Sequence, residues 1–477
     1  MAIINFIVTM QMLMAFIFVQ QVSCEGTFLY DFDLVAEFVT IDYLWDSNHS
    51  RTLYEESGQF VVANNALTGI KVSNAGDIFV AIPRWMSGVP SSLNILAPNP
   101  NGEGYVLNPW PSWEFNTINT SMFPNSLQYA QSFIIDSKQR MWIPDVGRTN
   151  FFDTDTSLIT TGAASLMIVD IPTGELLFKY YFPEEVVSYN NSFVNDIVID
   201  ETNGYAYFTN TWGDGGIIVF NANTNTSHQF SSAVTNRNAS YDFCVNGICY
   251  GTDGVGASPS DGIALSDDLS TLYFSAVQGQ GVYSIATSLL WDFGMSDTEF
   301  QAAAVFLGLK TGCSDGLLFL NGQLLYGDIQ NSAVALVDDI SSYTASGSLT
   351  LSDSSQSAFS PSTLNWIDTF STDFNDETAF YFTSNRLNLF FAATMDYTGQ
   401  SGSNFRIYHA TTSSINNNGT SEDNTTRRRL VLGVGFSVVC ILCVGAWWYR
   451  RWLGKQAGAG TVGLSEVDTQ SSLHDTI

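Results

Sequence analysis

The sequence predicts an all-β fold, a six-bladed β-propeller ectodomain followed by a single C-terminal transmembrane helix. Three observations carry this expectation. A two-strand pattern recurs six times at near-constant spacing. The 477-residue chain holds 38 Gly, 34 Phe and 20 Tyr but few Lys, which favours strands and turns over helices. One uncharged run of 20 residues, Leu430 to Tyr449, stands near the C-terminus.

Taken in order, residues 1–24 read as a signal peptide. Ile3 to Val19 is almost wholly apolar, and Val22-Ser23-Cys24 offers a small-residue cleavage site before Glu25. No Lys or Arg precedes the apolar run, so an uncleaved N-terminal anchor stands as the alternative. Residues 25–415 form the propeller and 416–429 a polar stalk. The run 430–449 amounts to about 30 Å of helix, enough to cross the hydrocarbon layer. The last 28 residues, 450–477, form a cytoplasmic tail. Three basic residues flank the span on each side, so charge alone chooses no orientation, and the signal peptide sets it. The expected protein is therefore a single-pass type I protein of the cell membrane with its propeller outside, and shedding would give a secreted form. Sequons at Asn48, Asn119, Asn190, Asn225, Asn238, Asn418 and Asn424 all precede the span, as a glycoprotein of this topology requires.

The repeat sets the fold. Alternating strands begin near residues 70, 133, 197, 263, 317 and 370, at intervals of 63, 64, 66, 54 and 53. Each leads through a polar turn to a second strand, such as Ile78-Phe79-Val80-Ala81 or Phe380-Tyr381-Phe382-Thr383. A third strand follows in several copies, including Gly216 to Phe220 and Ala333 to Val337. Such intervals suit four-stranded blades with connecting loops, and radial repetition protects the sheet edges.

Composition excludes several functions. The net charge is −29, and 43 acids face 11 bases before the membrane-proximal Arg427. Such a field repels nucleic-acid backbones and attracts cations. Four His residues are scattered, without HExxH or GxSxG, which argues against zinc hydrolysis and serine-type acyl transfer. Of the cysteines outside the cytosol, Cys244 and Cys249 bracket a four-residue loop and are the favoured disulfide, with Cys313 left over.

Segments of the repeat resemble the major royal jelly protein and yellow family. They include Leu67-Thr68-Gly69-Ile70-Lys71-Val72, Phe79 to Trp85 with Gly88-Val89-Pro90, Pro109-Trp110-Pro111-Ser112-Trp113-Glu114 and Asp196 to Asp200 with Gly204 to Tyr207. Ser260 to Leu265, Lys310 to Gly316, Trp366 to Thr369 and Phe382 to Asn385 continue the resemblance, which covers about residues 55 to 410. It independently implies a six-bladed propeller. Family members are typically secreted and soluble, so the apparent anchor is a departure.

Candidate site residues follow. The innermost strand of each blade runs along the channel, so Asp196, Asp261, Asp315 and Asp368 are expected to converge at one mouth. Together with Asn195, such carboxylates suit Ca²⁺, an oxygen-liganded ion; lactonases of related fold use such a mouth. The alternative is that each Asp caps backbone N–H groups of its own turn, with Gly262 and Gly316 permitting tight turns. In amine-binding relatives the contacts fall in the last blade, and the resemblance carries them to Thr369 and Asn385, with Trp366 or Phe382 as apolar surface. Two functions stand open at this point. One is a binding module for a small amine or aromatic ligand, or for a protein partner. The other is an enzyme of the dopachrome-converting or lactonase-like type.

Overall fold

The computed structural model describes residues 30–118, 125–242, 244–250, 258–343 and 354–413. These residues form six four-stranded antiparallel sheets and one two-stranded hairpin. Blade one comprises Ile70–Val72, Ile78–Ala81, Leu93–Pro98 and Tyr105–Pro109. Blade two comprises Ile134–Ile135, Arg140–Asp145, Ser165–Asp170 and Leu176–Tyr181. Blade three runs Val194–Asp200, Tyr205–Asn210, Gly216–Asn221 and Thr226–Phe230, and blade four Ser260–Leu265, Thr271–Ala276, Gly281–Ala286 and Val305–Leu309. Blade five holds Ser314–Leu320, Gln323–Asp328, Ala333–Val337 and Ser354–Phe359. The repeated strand pairs of the sequence are thus the first two strands of each blade.

Blade six is closed from the other end of the chain. Trp366–Asp373, Asp376–Asn385 and Phe405–Thr412 supply three strands, and Tyr30–Phe38 adds the outermost. It pairs antiparallel from Tyr30↔Thr412 to Phe38↔Phe405, with a bulge between Leu34 and Ala36. Joining the first described strand to the last makes ring closure a non-local event and leaves neither terminal strand unpaired on both sides.

Packing between blades comes from the second and third strands. Tyr207, Phe208, Phe220, Phe274 and Tyr326 are fully buried where neighbouring sheets meet. The family-like Pro83-Arg84-Trp85 segment has a structural role here. The buried Arg84 guanidinium donates to the carbonyls of Val89, Pro90, Asn116, Leu127 and Gln128, tying the loop of blade one to the entry of blade two. Burial lowers its pKa to about 10.

Cys244–Val245 and Ile248–Cys249 make the separate hairpin, turned by Asn246 and Gly247 at φ 48° and 83°. Cys244 and Cys249 pair across it in a disulfide, while Cys313 is free and buried. No helix among the described residues is long and apolar enough to cross a membrane. The signal peptide 1–24, the stalk 416–429, the span 430–449 and the tail 450–477 lie outside the described residues, as do Asn119, Asn418 and Asn424. The sequon residues Asn48, Asn190, Asn225 and Asn238 are all exposed.

Candidate active site

The innermost strands of blades three to six share one irregularity. Pairing shifts between Val194 and Ile197, Ser260 and Ile263, Ser314 and Leu317, and Ile367 and Phe370. At each bulge the first bulged residue is re-aimed into the mouth of the channel. Those residues are Asn195, Asp261, Asp315 and Asp368, and Gln131 joins them from blade two. They line one cavity of ≈ 40 Å³ with an aromatic rim of Trp85, Phe152, Phe193, Trp366 and Phe391.

Close approach of the blades explains the glycines after Asp261 and Asp315. A Cβ on Gly262 would lie 2.4 Å from the Asp315 carbonyl oxygen, and one on Gly316 2.3 Å from that of Asp368. Neither residue has a positive φ, so the glycines make room for the next blade rather than permit a tight turn.

The three carboxyls crowd the same mouth, each held by its own donors. Asn195 Nδ2 donates to Asp261 Oδ2 at 2.8 Å, and Trp366 Nε1 donates to Asp315 Oδ2 at 2.6 Å. The Asp261 and Asp315 side chains lie within hydrogen-bonding reach of one another. Asp368 accepts from Asn385 Nδ2 at 3.2 Å and from Thr369 Oγ1 at 3.0 Å. Burial, reinforced by the charge of Asp196, pushes the Asp261 carboxyl up to about 8. Burial and the neighbouring Asp261 hold Asp315 well above the carboxylate range. Burial and Asp315 do the same to Asp368. Two carboxyls held this close titrate as a coupled pair. Chemically it offers an acid and a base a few ångströms apart.

The calcium expectation finds no ligand set among the described residues. Asp196 is not equivalent to Asp261; Asn195 is. At the bulge the two neighbours part, Asn195 reaching the mouth and Asp196 lying further along the innermost strands. It lines a second cavity of ≈ 110 Å³ with Lys71, Phe370 and Thr372. There it accepts from Ser132 Oγ at 2.8 Å and from the Ile197 N–H at 2.9 Å. Asn195, Asp196, Asp261 and Asp315 therefore do not make one ligand set. Among the described residues no group of three or more His, Cys, Asp or Glu is placed to hold a metal.

Thr369 and Asn385 are placed beside the mouth but spend their polar atoms internally. Asn385 Nδ2 donates to the Leu67 carbonyl at 3.0 Å as well as to Asp368, and Asn385 Oδ1 accepts from the Leu387 N–H at 3.2 Å. Thr369 bonds Asp368 through its hydroxyl, and its N–H donates to Thr383 Oγ1 at 3.2 Å. Sequence reasoning missed Gln131, Phe152 and Phe391. Gln131-Ser132-Phe133-Ile134 matches Asn195-Asp196-Ile197-Val198 position by position, and that offset was the available signal for Gln131. Phe152 comes from a loop outside the repeat, and Phe391 from the short helix Leu387–Phe391, where no periodicity points to the mouth.

Residues 130–420 match the model of the family described as major royal jelly protein. The chain belongs to the major royal jelly protein family. Among its relatives within and around that family is the dopaminechrome tautomerase of Drosophila melanogaster, 25% identical over 423 residues, with 84% of this chain and 87% of that protein covered. Major royal jelly protein 5 of Apis mellifera is 24% identical over 313 residues (63% of this chain), and protein yellow of Drosophila melanogaster 25% over 279 residues (55%). The match spans about half the length of these two, 49% and 48%. Among solved structures, a luciferin-regenerating enzyme aligns at 10% identity and TM-score 0.44, covering 81% of this chain and 96% of that one. A gluconolactonase from Xanthomonas campestris aligns at 10% and 0.42, covering 82% and 93%. At these values nothing functional follows from the two solved structures.

Proposed function

We propose that this member of the major royal jelly protein family is an isomerase that relocates a proton within a small conjugated ring substrate bound at the propeller mouth. The observation that carries the reading is the Asp261–Asp315 pair at the mouth, Asp261 buried and Asp315 half-buried, each carboxyl held by its own donor, Asn195 and Trp366. The minority of Asp261 that is ionised near neutral pH, a fraction that grows towards pH 8, takes a proton from a carbon of the ring system, and protonated Asp315 gives one to the oxygen that receives the electron pair. Substrate and product have the same formula, so no oxidant or reductant enters. Trp366 orients Asp315, and Asn195 orients Asp261. The relative named dopaminechrome tautomerase, matched over most of both chains, supports an aminochrome as the substrate class. The acidic ectodomain favours approach of a cationic or zwitterionic substrate. A cavity of ≈ 40 Å³ holds a few waters, whereas small ligands usually occupy about 300 Å³ or more. Binding therefore displaces Leu387 and Phe391, which line the cavity from one short helix. Export and attachment to the outer face of the cell membrane by the 430–449 run complete the proposal; the exposed sequon residues and the Cys244–Cys249 disulfide support it.

The test follows an aminochrome spectrophotometrically with the purified chain. Wild type accelerates tautomerisation, and Asp261→Asn and Asp315→Asn lose it. A wild-type rate equal to buffer alone, or an undiminished rate in Asp261→Asn, refutes the reading. A second reading, an amine-binding module without turnover, is favoured by the aromatic rim around acidic groups. It predicts calorimetric heat with serotonin or dopamine that is lost in Asp368→Asn, and no turnover.

A further inference from the structure

A groove between blades two and three lies apart from the mouth and takes no part in its chemistry. Its volume is ≈ 360 Å³, within the range that small ligands fill. Half-buried Phe178 and the exposed edge of Trp142 supply its apolar side, and Lys138, Asp200 and Glu201 its polar one. Arg140 stands at one rim, its guanidinium over the Trp142 ring at 5.9 Å and bonded to Asp136 at 2.6 Å. Asn225 stands at the other rim. It opens the sequon Asn225-Thr226-Ser227 and is exposed on the hairpin between Gly216–Asn221 and Thr226–Phe230. Its φ of 53° is a conformation that Asn tolerates better than most residues.

We infer that Asn225 carries an N-linked glycan whose first N-acetylhexosamine folds back into this groove against Trp142 and Phe178. The chemistry matches on both sides. A pyranose presents an apolar C–H face, which the aromatic side shelters from water. Its hydroxyls and acetamide remain toward the polar rim. The sugar is tethered to the groove's own edge, so its docking is intramolecular and starts from a high effective concentration. The other described sequon residues, Asn48, Asn190 and Asn238, line neither this groove nor the mouth. They serve as controls within one molecule. The inference rests on export of the chain, part of the proposed function, and not on the proton chemistry.

The experiment uses the full chain expressed in secretory cells. Glycopeptide mass spectrometry reads site occupancy, and peptide N-glycosidase treatment of the folded protein reads the release rate at each site. The expected result is an occupied Asn225 whose glycan is released about tenfold more slowly than the other three, a gap that vanishes on denaturation. Phe178→Ala closes the gap. Trimming to a single sugar retains the wild-type Tm, and complete removal lowers it, which tests the contact without any substitution. An unoccupied Asn225 beside occupied neighbours, or release as fast as theirs, overturns the inference alone. Absence of glycan at all four sites overturns both it and the export reading.

Discussion

Replacing Asp261 by Asn separates stability from chemistry at the mouth. In the folded chain this carboxyl keeps its proton to about pH 8, against an ordinary value of 3.8. Between those values the folded state binds more protons than the unfolded one, so the unfolding free energy falls as pH rises. Each pH unit is worth about 1.4 kcal/mol per proton. Over the roughly 3 units from 3.8 to neutrality the penalty reaches a ceiling of about 4 kcal/mol. Asp315 and Asp368 share the same crowded, buried site, so removing one carboxyl recovers on the order of 2 kcal/mol. The replacement amide fits: its oxygen accepts from Asn195, and its N–H₂ donates toward Asp315. Urea unfolding at pH 5, 6, 7 and 8 measures the effect. The variant is expected to be more stable than wild type at pH 7, with a pH slope shallower by about one proton. Turnover of the aminochrome falls by about 10²–10⁴ in the same variant, the usual worth of a general base. Unchanged pH slope together with equal or lower stability at pH 7 would refute the reasoning, because it would mean that the site does not raise the Asp261 carboxyl in the folded state.

Three further outcomes follow from the same structure. Trp366→Phe keeps most of the ring but deletes the 2.6 Å bond to Asp315, so the Asp315 pKa rises further; turnover drops about tenfold and the pH–rate profile moves upward, and an unmoved profile would show that the bond does not tune the pair. Gly316→Ala places a methyl 2.3 Å from the Asp368 carbonyl and costs about 1–3 kcal/mol in urea unfolding. Gly322→Ala, at φ +80° with no atom within 4 Å, costs about 1 kcal/mol from backbone strain alone; a Gly316→Ala cost no larger than that would remove the blade-contact explanation. Cys313 is buried, and burial pushes its thiol up to about 11, so iodoacetamide at pH 8 labels it only after unfolding; rapid labelling of the folded chain would contradict the structure.

Strand periodicity was legible because it is local. Alternating side chains and turn residues such as Asn321-Gly322, at φ 51° and 80°, encode each hairpin within a few residues. The six repeats then imply a ring, and the acid-rich strand entries imply a polar mouth. Which carboxyls share that mouth was not legible. Asn195 and Asp196 are adjacent in sequence, and a bulge held by the neighbouring blades decides which of them reaches the mouth. The same holds for Gly262 and Gly316, whose neighbours are carbonyls 53 and 52 residues away. Closure by Tyr30–Phe38 and the rim aromatics Phe152 and Phe391 also arise from contacts distant in the chain. Short-range chemistry thus writes the hairpins. The carboxyl array exists only once the blades close around a common axis, because burial and proximity, which raise the pKa values, are properties of the assembled ring.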